Sequence, residues 1–219
     1  MPSNKALICL DGQPPSKATL NNILGDVTCV IAADGGANWL FKYQIAPNVL
    51  IGDLDGIRPD LLKKLPSTSI VQKDDQYSTD LEKSFNWAIR HKFKRVVVTA
   101  IAGKRTDHML SNFSLLWKFH KKLEIEIIDD DWMGYLLPNE KQEFEVKKGM
   151  TISLIPYSNC SEITLKGFQY PLTRASMKLG EVGVSNVSVS NHVSIEVKKG
   201  RMLALFLKEK KTADLKSKK

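Results

Sequence analysis

The first part of the chain alternates short apolar runs with segments that have a helical period. The runs that predict strands are residues 6–10, 27–33, 49–51, 69–72, 96–101 and 125–128. Helices are predicted between some of these runs, at residues 37–43, at residues 60–65, from Thr79 onward and around residues 110–117. Strands that alternate with helices are typical of a parallel sheet covered on both faces. The pattern therefore predicts a Rossmann-like α/β domain, to which we assign residues 1–138.

The pattern changes near Asn139, where apolar and polar residues begin to alternate with a period of two. Further strands are predicted at residues 143–146, 151–156, 162–166, 183–189, 193–197 and 202–207. No helical period remains, so residues 139–208 predict a small antiparallel β domain, a sandwich or a barrel. We expect residues 209–219, which are rich in lysine, to form a disordered tail.

Acidic residues follow three successive predicted strands of the α/β domain. The clusters are Asp34-Gly35-Gly36, Asp53-Leu54-Asp55-Gly56 and the segment 74–80, and a fourth polar cluster spans 103–108. In an open α/β sheet, ligands bind beyond the carboxyl ends of the strands, so the clusters are expected to converge on one site. Carboxylates held close together repel each other unless a cation neutralises them. With Arg105 nearby, these oxygen ligands indicate Mg²⁺ and phosphate.

The Asp53-Leu54-Asp55 motif is ambiguous when it is considered alone, because aspartate and glycine are common in solvated turns. Acids at the neighbouring strand ends, Asp34 and Asp80 among them, make metal binding the favoured interpretation. Residues 79–82 have the spacing of a helix capping box, which predicts that Asp80 lies in the first turn of a helix.

The overall composition narrows the class of protein. The chain has 219 residues, of which 42% are hydrophobic and 26% are charged, as is ordinary for a globular protein. No apolar run is long enough to span a membrane, so we expect no membrane partner. Three cysteines are an odd and sparse set, which predicts a reducing, cytoplasmic location. The net charge is +8, but residues 208–219 carry +4 of it and no recognition motif is present, so we expect no nucleic-acid partner.

At these acidic and polar clusters the sequence resembles the thiamin pyrophosphokinase family. The matching segments are Asp34–Asn38, Gly52–Asp55, Asp75–Lys83, Gly103–His108 and Gly183–Asn186, in the family's order. The resemblance covers nearly the whole chain, and it implies an α/β domain followed by a β-sandwich. It also implies a transfer of the pyrophosphoryl group from ATP to the hydroxyethyl group of thiamin, which gives thiamin diphosphate and AMP.

The resemblance also implies a role for each matching residue. Asp53, Asp55 and Asp80 would hold Mg²⁺, and Asp107 would lie near the substrate as a candidate proton acceptor. The ATP-binding residues would be Asp34, Gly35, Gln76, Gly103 and Arg105, and the thiamin-binding residues would be Tyr170, Ser185 and Asn186. The family forms homodimers whose active site combines the α/β domain of one subunit with the sandwich of the other.

The chain departs from the family's pattern at three positions. Leu54 stands where the family often has Phe, Gly56 stands where it often has Ser, and Lys104 replaces a second Gly. We expect the first two departures to change packing and one hydrogen bond. Lys104 either adds a phosphate contact or faces water.

Two alternative functions remain open from the sequence. Asp53-Leu54-Asp55-Gly56 also fits the signature of a haloacid dehalogenase-type phosphatase with Asp53 as its nucleophile. That signature usually follows the first strand, however, and it would leave Asp34, Asp80 and Arg105 unused. The second alternative is a thiamin- or nucleotide-binding module without catalytic activity, against which the intact set of acids argues.

Overall fold

The computed structural model describes residues 4–64, 66–72, 75, 77–181 and 183–208. The chain divides into two compact units, Met1–Asp130 and Asp131–Lys219. We expected the boundary after residue 138, but strand β7 (Trp132–Leu137), which we did not predict, pairs with a strand of the second unit. The division of substrate binding between the units stays a prediction, and residues 209–219 lie outside the described residues.

The first unit is built on a parallel sheet, as the sequence predicted. Its strands are β1 (Lys5–Cys9), β2 (Cys29–Ala33), β3 (Val49–Gly52), β4 (Ser69–Gln72), β5 (Arg95–Thr99) and β6 (Glu124–Ile128). Its helices are α1 (Lys17–Leu24), α2 (Gly36–Lys42), α3 (Pro59–Leu62), α4 (Asp80–Arg90) and α5 (Thr106–Phe119). The strand order is β6-β5-β1-β2-β3-β4, with parallel pairing throughout. The direction of winding therefore reverses between β1 and β5.

Burial on both faces explains why the central strands read as continuous apolar runs. All five residues of β1 are buried, including Lys5 at its start. The Lys5 ammonium is compensated by Asp26 at 2.8 Å and Glu126 at 2.9 Å. Because a buried charge is costly unless it is paired, these two carboxylates make a lysine tolerable at the base of the central strand.

Helix α1 was missing from the sequence prediction, because only Leu20 and Ile23 of its eight residues are buried. Its N-terminus is nevertheless well defined, since the Ser16 side chain accepts a hydrogen bond from the Thr19 amide. The carboxylate of Asp130 in turn accepts hydrogen bonds from the Ser16 amide and hydroxyl.

The second unit is an antiparallel β-sandwich. Besides β7 it contains β8 (Lys141–Glu145), β9 (Thr151–Pro156), β10 (Cys160–Lys166), β11 (Leu172–Met177), β12 (Gly183–Val187), β13 (His192–Lys199) and β14 (Met202–Leu207). Strands β12-β9-β14-β7 form one sheet and β11-β10-β13-β8 the other. The core draws on both sheets, for example on Ile152 and Phe206 from the first and Ile163 and Ile195 from the second.

Candidate active site

A cleft of about 320 Å³ lies at the carboxyl ends of the strands in the first unit. It is lined by the segments that follow β1, β2 and β5 and by the first turns of α4 and α5. Strands β1 and β5 flank the point where the winding of the sheet reverses, which is where open α/β sheets bind their ligands. Asp34, Asp80, Gly103 and Arg105 all line this cleft, as the sequence predicted from the convergence of strand ends.

Three carboxylates gather beside the cleft. Asp34, Asp53 and Asp55 each offer one oxygen, and these oxygens lie within 4.8 Å of one another. The Asp34 amide donates to the Ile51 carbonyl at 2.8 Å, which ties the end of β2 to the end of β3. Asp34 and Leu54 both have a positive φ, 42° and 73°, so the two acidic turns have the sharp backbone that brings their carboxylates together.

Glycine at position 56 leaves space for the Asp34 carboxylate. A β-carbon at Gly56, where the family often has Ser, would lie 2.0 Å from Asp34 Oδ2. The orientation of the Asp34 carboxylate therefore depends on Gly56. Asn38 of α2 holds the same loop, since its side chain donates to the Gly56 carbonyl at 2.8 Å and accepts from the Arg58 amide at 3.1 Å.

Burial and neighbouring acids raise the pKa values of two acids of the site, Asp34 and Asp80. Burial and the charge of Asp80, with smaller effects from Asp53 and Asp55, raise the pKa of Asp34 to about 6, against a lowering effect of the Gly35 amide. Burial also raises the pKa of Asp80, and the Lys83 ammonium at 3.2 Å offsets part of that rise. Four neighbouring acids thus interact, and Lys83 compensates part of the charge of Asp80.

The residues present fit a hard divalent cation. Asp34 Oδ1 is buried and has no hydrogen-bond partner within the described part of the chain. A buried carboxylate oxygen without a partner, next to two more carboxylates, is the ligand set that Mg²⁺ prefers. The resemblance assigned Asp80 to the metal and Asp34 to the nucleotide. The structure groups Asp34 with Asp53 and Asp55, and it pairs Asp80 with Lys83. The role that the resemblance implies for each acid stays a prediction.

Hydrogen bonds of its own side chains hold the turn before α4. Asp75 is exposed, and its carboxylate accepts hydrogen bonds from the Tyr77 amide at 2.9 Å and from the Ser78 hydroxyl. The Thr79 hydroxyl accepts from the Glu82 amide at 3.2 Å, which confirms the predicted cap and puts Asp80 in the first turn of α4. Gln76, which we assigned to ATP, lies outside the described residues.

The cationic side of the cleft begins at Arg105, which directly precedes α5. Its guanidinium forms a two-bonded ion pair with Asp107, in which Nε and Oδ1 are 3.1 Å apart. The pair is exposed, and the Arg105 guanidinium lowers the pKa of Asp107 to about 2. While it is paired in this way, Asp107 is a weak base. His108 and Asn112 of α5 also line the cleft.

One acid of the cleft, Asp11, was not among the residues predicted from the sequence. It follows β1, lines the cleft and forms an ion pair with Lys104 at 2.6 Å. The signal was available, because Asp11-Gly12 follows an apolar run just as Asp34-Gly35 does.

In the second unit, the three expected thiamin-binding residues lie close together. The Asn186 side chain is buried, accepts from the Tyr170 amide at 3.1 Å and donates to the Tyr170 carbonyl at 2.8 Å. Tyr170 itself is 63% exposed. Ser185 is exposed in an irregular part of β12 with φ 60°, and its amide donates to the Ser153 hydroxyl at 3.0 Å. Asn186 therefore holds the backbone that presents the Tyr170 ring.

Clustered carboxylates and an arginine at the reversal point of a parallel sheet are typical of enzymes that transfer phosphorus-containing groups. Comparison with known proteins identifies the family. Residues 20–128 match the family model "Thiamin pyrophosphokinase, catalytic domain", and residues 137–202 match "Thiamin pyrophosphokinase, vitamin B1 binding domain". The chain belongs to the thiamin pyrophosphokinase family, so the resemblance found in its motifs is confirmed.

Individual relatives agree with this assignment. Thiamine pyrophosphokinase of Bacillus subtilis is 30% identical over 186 residues, which cover 81% of this chain and 86% of the relative. Thiamine pyrophosphokinase 1 of Arabidopsis thaliana is 27% identical, over 76% of this chain and 73% of the relative.

Solved structures support the fold. The crystal structure of the Bacillus subtilis enzyme superposes with a TM-score of 0.83 at 26% identity, covering 94% of this chain and 99% of that one. Thiamin pyrophosphokinase from Candida albicans gives a TM-score of 0.82 at 19% identity, covering 93% and 89%, and supports the fold alone. Within the described ranges, no helix combines the length and apolar character needed to cross a membrane.

Proposed function

We propose that this protein transfers the pyrophosphoryl group of ATP to the hydroxyethyl oxygen of thiamin, giving thiamin diphosphate and AMP in a Mg²⁺-dependent direct displacement. The observation that carries the proposal is the cluster of Asp34, Asp53 and Asp55, with its buried, unpartnered oxygen, beside the cleft that Arg105 lines. Membership of the thiamin pyrophosphokinase family supports this reaction over the haloacid dehalogenase-type phosphatase. Asp53 also follows the third strand and not the first.

The acidic cluster would hold Mg²⁺ through Asp34, Asp53 and Asp55. When bound, Mg²⁺ neutralises charge on the triphosphate and on the AMP that leaves. Asp80 would contribute negative charge beside the cluster, from a position fixed by its ion pair with Lys83. Phosphoryl-type transfer needs positioning and charge neutralisation more than it needs a covalent intermediate, so no protein nucleophile is required.

The Arg105–Asp107 pair would connect nucleotide binding with proton transfer. Arg105 is exposed and has the planar donor set that suits phosphate oxygens. If Arg105 turns to the phosphates, Asp107 loses the contact that lowers its pKa and becomes a stronger base. Asp107 would then accept the proton of the thiamin hydroxyl group while the oxygen of that hydroxyl group attacks the β-phosphorus. The bond between that phosphorus and the bridging oxygen of AMP would break in the same displacement.

Thiamin would be bound through the second unit. The exposed Tyr170 ring offers a stacking surface for the thiamin pyrimidine, and the exposed Ser185 hydroxyl offers a hydrogen bond. We propose a homodimer in which these residues act with the first unit of the partner subunit, a proposal supported by the family resemblance. We also propose a cytoplasmic location, which is supported by the three buried cysteine thiols, Cys9, Cys29 and Cys160.

A product balance tests the function. The purified protein is incubated with ATP, Mg²⁺ and thiamin, and the nucleotides and thiamin species are separated. We expect AMP and thiamin diphosphate in equal amounts, and no turnover after Mg²⁺ is removed with a chelator. ADP would indicate a monophosphate kinase instead. Free phosphate, with a phosphoaspartate at Asp53 in the intact mass, would indicate the phosphatase. ATP binding without any turnover would indicate the binding module.

A further inference from the structure

The loops that follow β1 and β5 run side by side across the point where the sheet reverses. Beyond the strands, the Leu10 amide donates to the Thr99 carbonyl at 3.1 Å, the Gly12 amide to Ala100 at 3.0 Å and the Gln13 amide to Ala102 at 2.7 Å. A β-carbon at Gly12 would lie 2.1 Å from the Ala100 oxygen, so the close approach of the two loops requires glycine there. The backbone therefore holds position 11 and the segment around position 104 in a defined relation.

The side chains of Asp11 and Lys104 meet across these loops. Lys104 Nζ lies 2.6 Å from Asp11 Oδ1, and both residues line the cleft. The Asp11 carboxylate also packs against the start of α2, since a β-carbon at Gly35 would lie 2.6 Å from Asp11 Cγ. The Lys104 side chain is 55% exposed, so a ligand in the cleft has access to it.

A lysine ammonium has three N–H donors, and the contact with Asp11 takes one of them. The others are available to phosphate oxygens without loss of the ion pair. Arg105 is the next residue in the chain and lines the same cleft. Two adjacent cations therefore border a cleft whose neighbouring wall carries the acidic cluster. This is a suitable arrangement for a polyanion that arrives with a divalent cation.

We propose that Lys104 is a second phosphate-binding cation of the cleft, beside Arg105, and that Asp11 is the positioning residue that holds Lys104 there. The family resemblance leads one to expect glycine at position 104, so this cation distinguishes the present chain. The inference rests on the proposed function, since it takes the ligand to be the triphosphate of ATP.

The first test is Lys104→Met. Loss of one charge-assisted contact is expected to raise both the KM for ATP and the Kd for ATP, measured without thiamin, about tenfold. The KM for thiamin should stay within about twofold of the wild-type value. Lys104→Arg should restore most of the ATP affinity, because it returns the charge. Lys64→Met is a matched control, because Lys64 is 53% exposed and pairs with Asp60 at 3.2 Å but does not line the cleft.

The role of Asp11 is tested by a double-mutant cycle. Asp11→Ala is expected to raise the KM for ATP about threefold in the wild-type background and to have no further effect on Lys104→Met. A lower KM for ATP in Asp11→Ala would mean that Asp11 competes with phosphate for Lys104, and would overturn the positioning role. If Lys104→Met does not fold, as judged by its thermal unfolding, Lys104→Gln is measured instead.

The direct binding measurement keeps this inference separate from the proposed function. If the wild-type protein produces AMP while Lys104→Met binds ATP normally, Lys104 faces water and only this inference fails. If the wild-type protein binds ATP but produces no AMP, the proposed reaction fails and the effect of Lys104→Met on ATP binding still decides the inference. If the wild-type protein does not bind ATP, both proposals are overturned.

Discussion

Gly52 packs directly against Asp34. A β-carbon at position 52 would lie 2.8 Å from the Asp34 β-carbon and 3.2 Å from its α-carbon. The first distance is shorter than real β-carbon contacts in proteins, and the second is tighter than most of them. Asp34 is also held at its amide by Ile51. Glycine at the end of β3 is therefore what allows the turn after β2 to place its carboxylate beside Asp53 and Asp55.

Gly52→Ala should displace the Asp34 carboxylate and weaken the acidic cluster. We expect kcat to fall about 100-fold, since displacements of about 1 Å at a reacting site have effects of that size. We also expect a higher Mg²⁺ concentration to be needed for half-maximal activity. Steady-state rates over a Mg²⁺ titration measure both. Gly25→Ala is the control, because its β-carbon would meet nothing closer than 3.6 Å. Normal Mg²⁺ dependence in Gly52→Ala would contradict the argument.

Asp34→Asn should lose activity and should be more stable than the wild type at neutral pH. The pKa of Asp34 is raised from 3.8 to about 6, so the folded state prefers the protonated carboxyl. The stability that this group contributes is therefore present below pH 4 and is lost as the pH rises through 6. In a metal-free buffer, Asp34→Asn should melt at a higher temperature than the wild type at pH 7.5 and at nearly the same temperature at pH 4.

The same comparison with Mg²⁺ separates metal binding from folding. Mg²⁺ should raise the melting temperature of the wild type, because a ligand that binds only the folded state stabilises it. It should do so much less for Asp34→Asn, whose turnover should be lost. An equal Mg²⁺ effect on both proteins would remove Asp34 from the metal site.

Asp107→Asn tests whether Asp107 accepts a proton or only holds Arg105. A general base contributes about 10²–10⁴-fold to the rate, so kcat should fall by at least 100-fold while the KM for ATP changes little. Arg105→Gln should instead raise the KM for ATP, because it removes a phosphate contact. A small loss of kcat in Asp107→Asn would assign Asp107 to positioning Arg105 and leave the base to another acid.

The sequence predicted those parts of the fold in which the apolar pattern is strong. Strands β9 and β14 have the bounds that were predicted, residues 151–156 and 202–207, because most of their residues are buried. Strand β11 was missed, since most of its side chains are at least partly exposed and its alternation is weak. Leu110, an apolar residue of the helix predicted around residues 110–117, is 61% exposed. Periodicity alone does not reveal which apolar residues find a partner.

The candidate site was predictable in its location but only partly in its contacts. Acids that follow successive strands must meet at one edge of a parallel sheet, and Asp34, Asp53 and Asp55 do so. The pairing of Asp80 with Lys83 depends on a buried lysine, which the sequence does not mark. The location of Asp11 at the cleft depends on the central place of β1 in the sheet. The order of the strands is a property of the tertiary structure.

Asn186→Ala should impair thiamin binding through Tyr170. Asn186 closes two hydrogen bonds with the Tyr170 backbone, so its loss should release the loop that presents the ring. We expect Asn186→Ala and Tyr170→Ala to raise the KM for thiamin to a similar extent, with the KM for ATP nearly unchanged. The double variant should be no worse than Tyr170→Ala alone. Additive effects would mean that Asn186 contacts thiamin independently.

Mixing two inactive variants tests the proposed homodimer and its shared site. Asp55→Asn disables the first unit, and the Tyr170→Ala, Asn186→Ala double variant disables the second. If each site draws on both subunits, a mixed dimer has one site with both halves intact. Random exchange at equal amounts should then restore roughly a quarter of the wild-type activity at low thiamin. Mixing Asp55→Asn with Asp53→Asn is the control and should restore nothing, because both changes lie in the same unit. Native mass spectrometry monitors the subunit exchange. If the subunits exchange and activity is not recovered, each site lies within one chain.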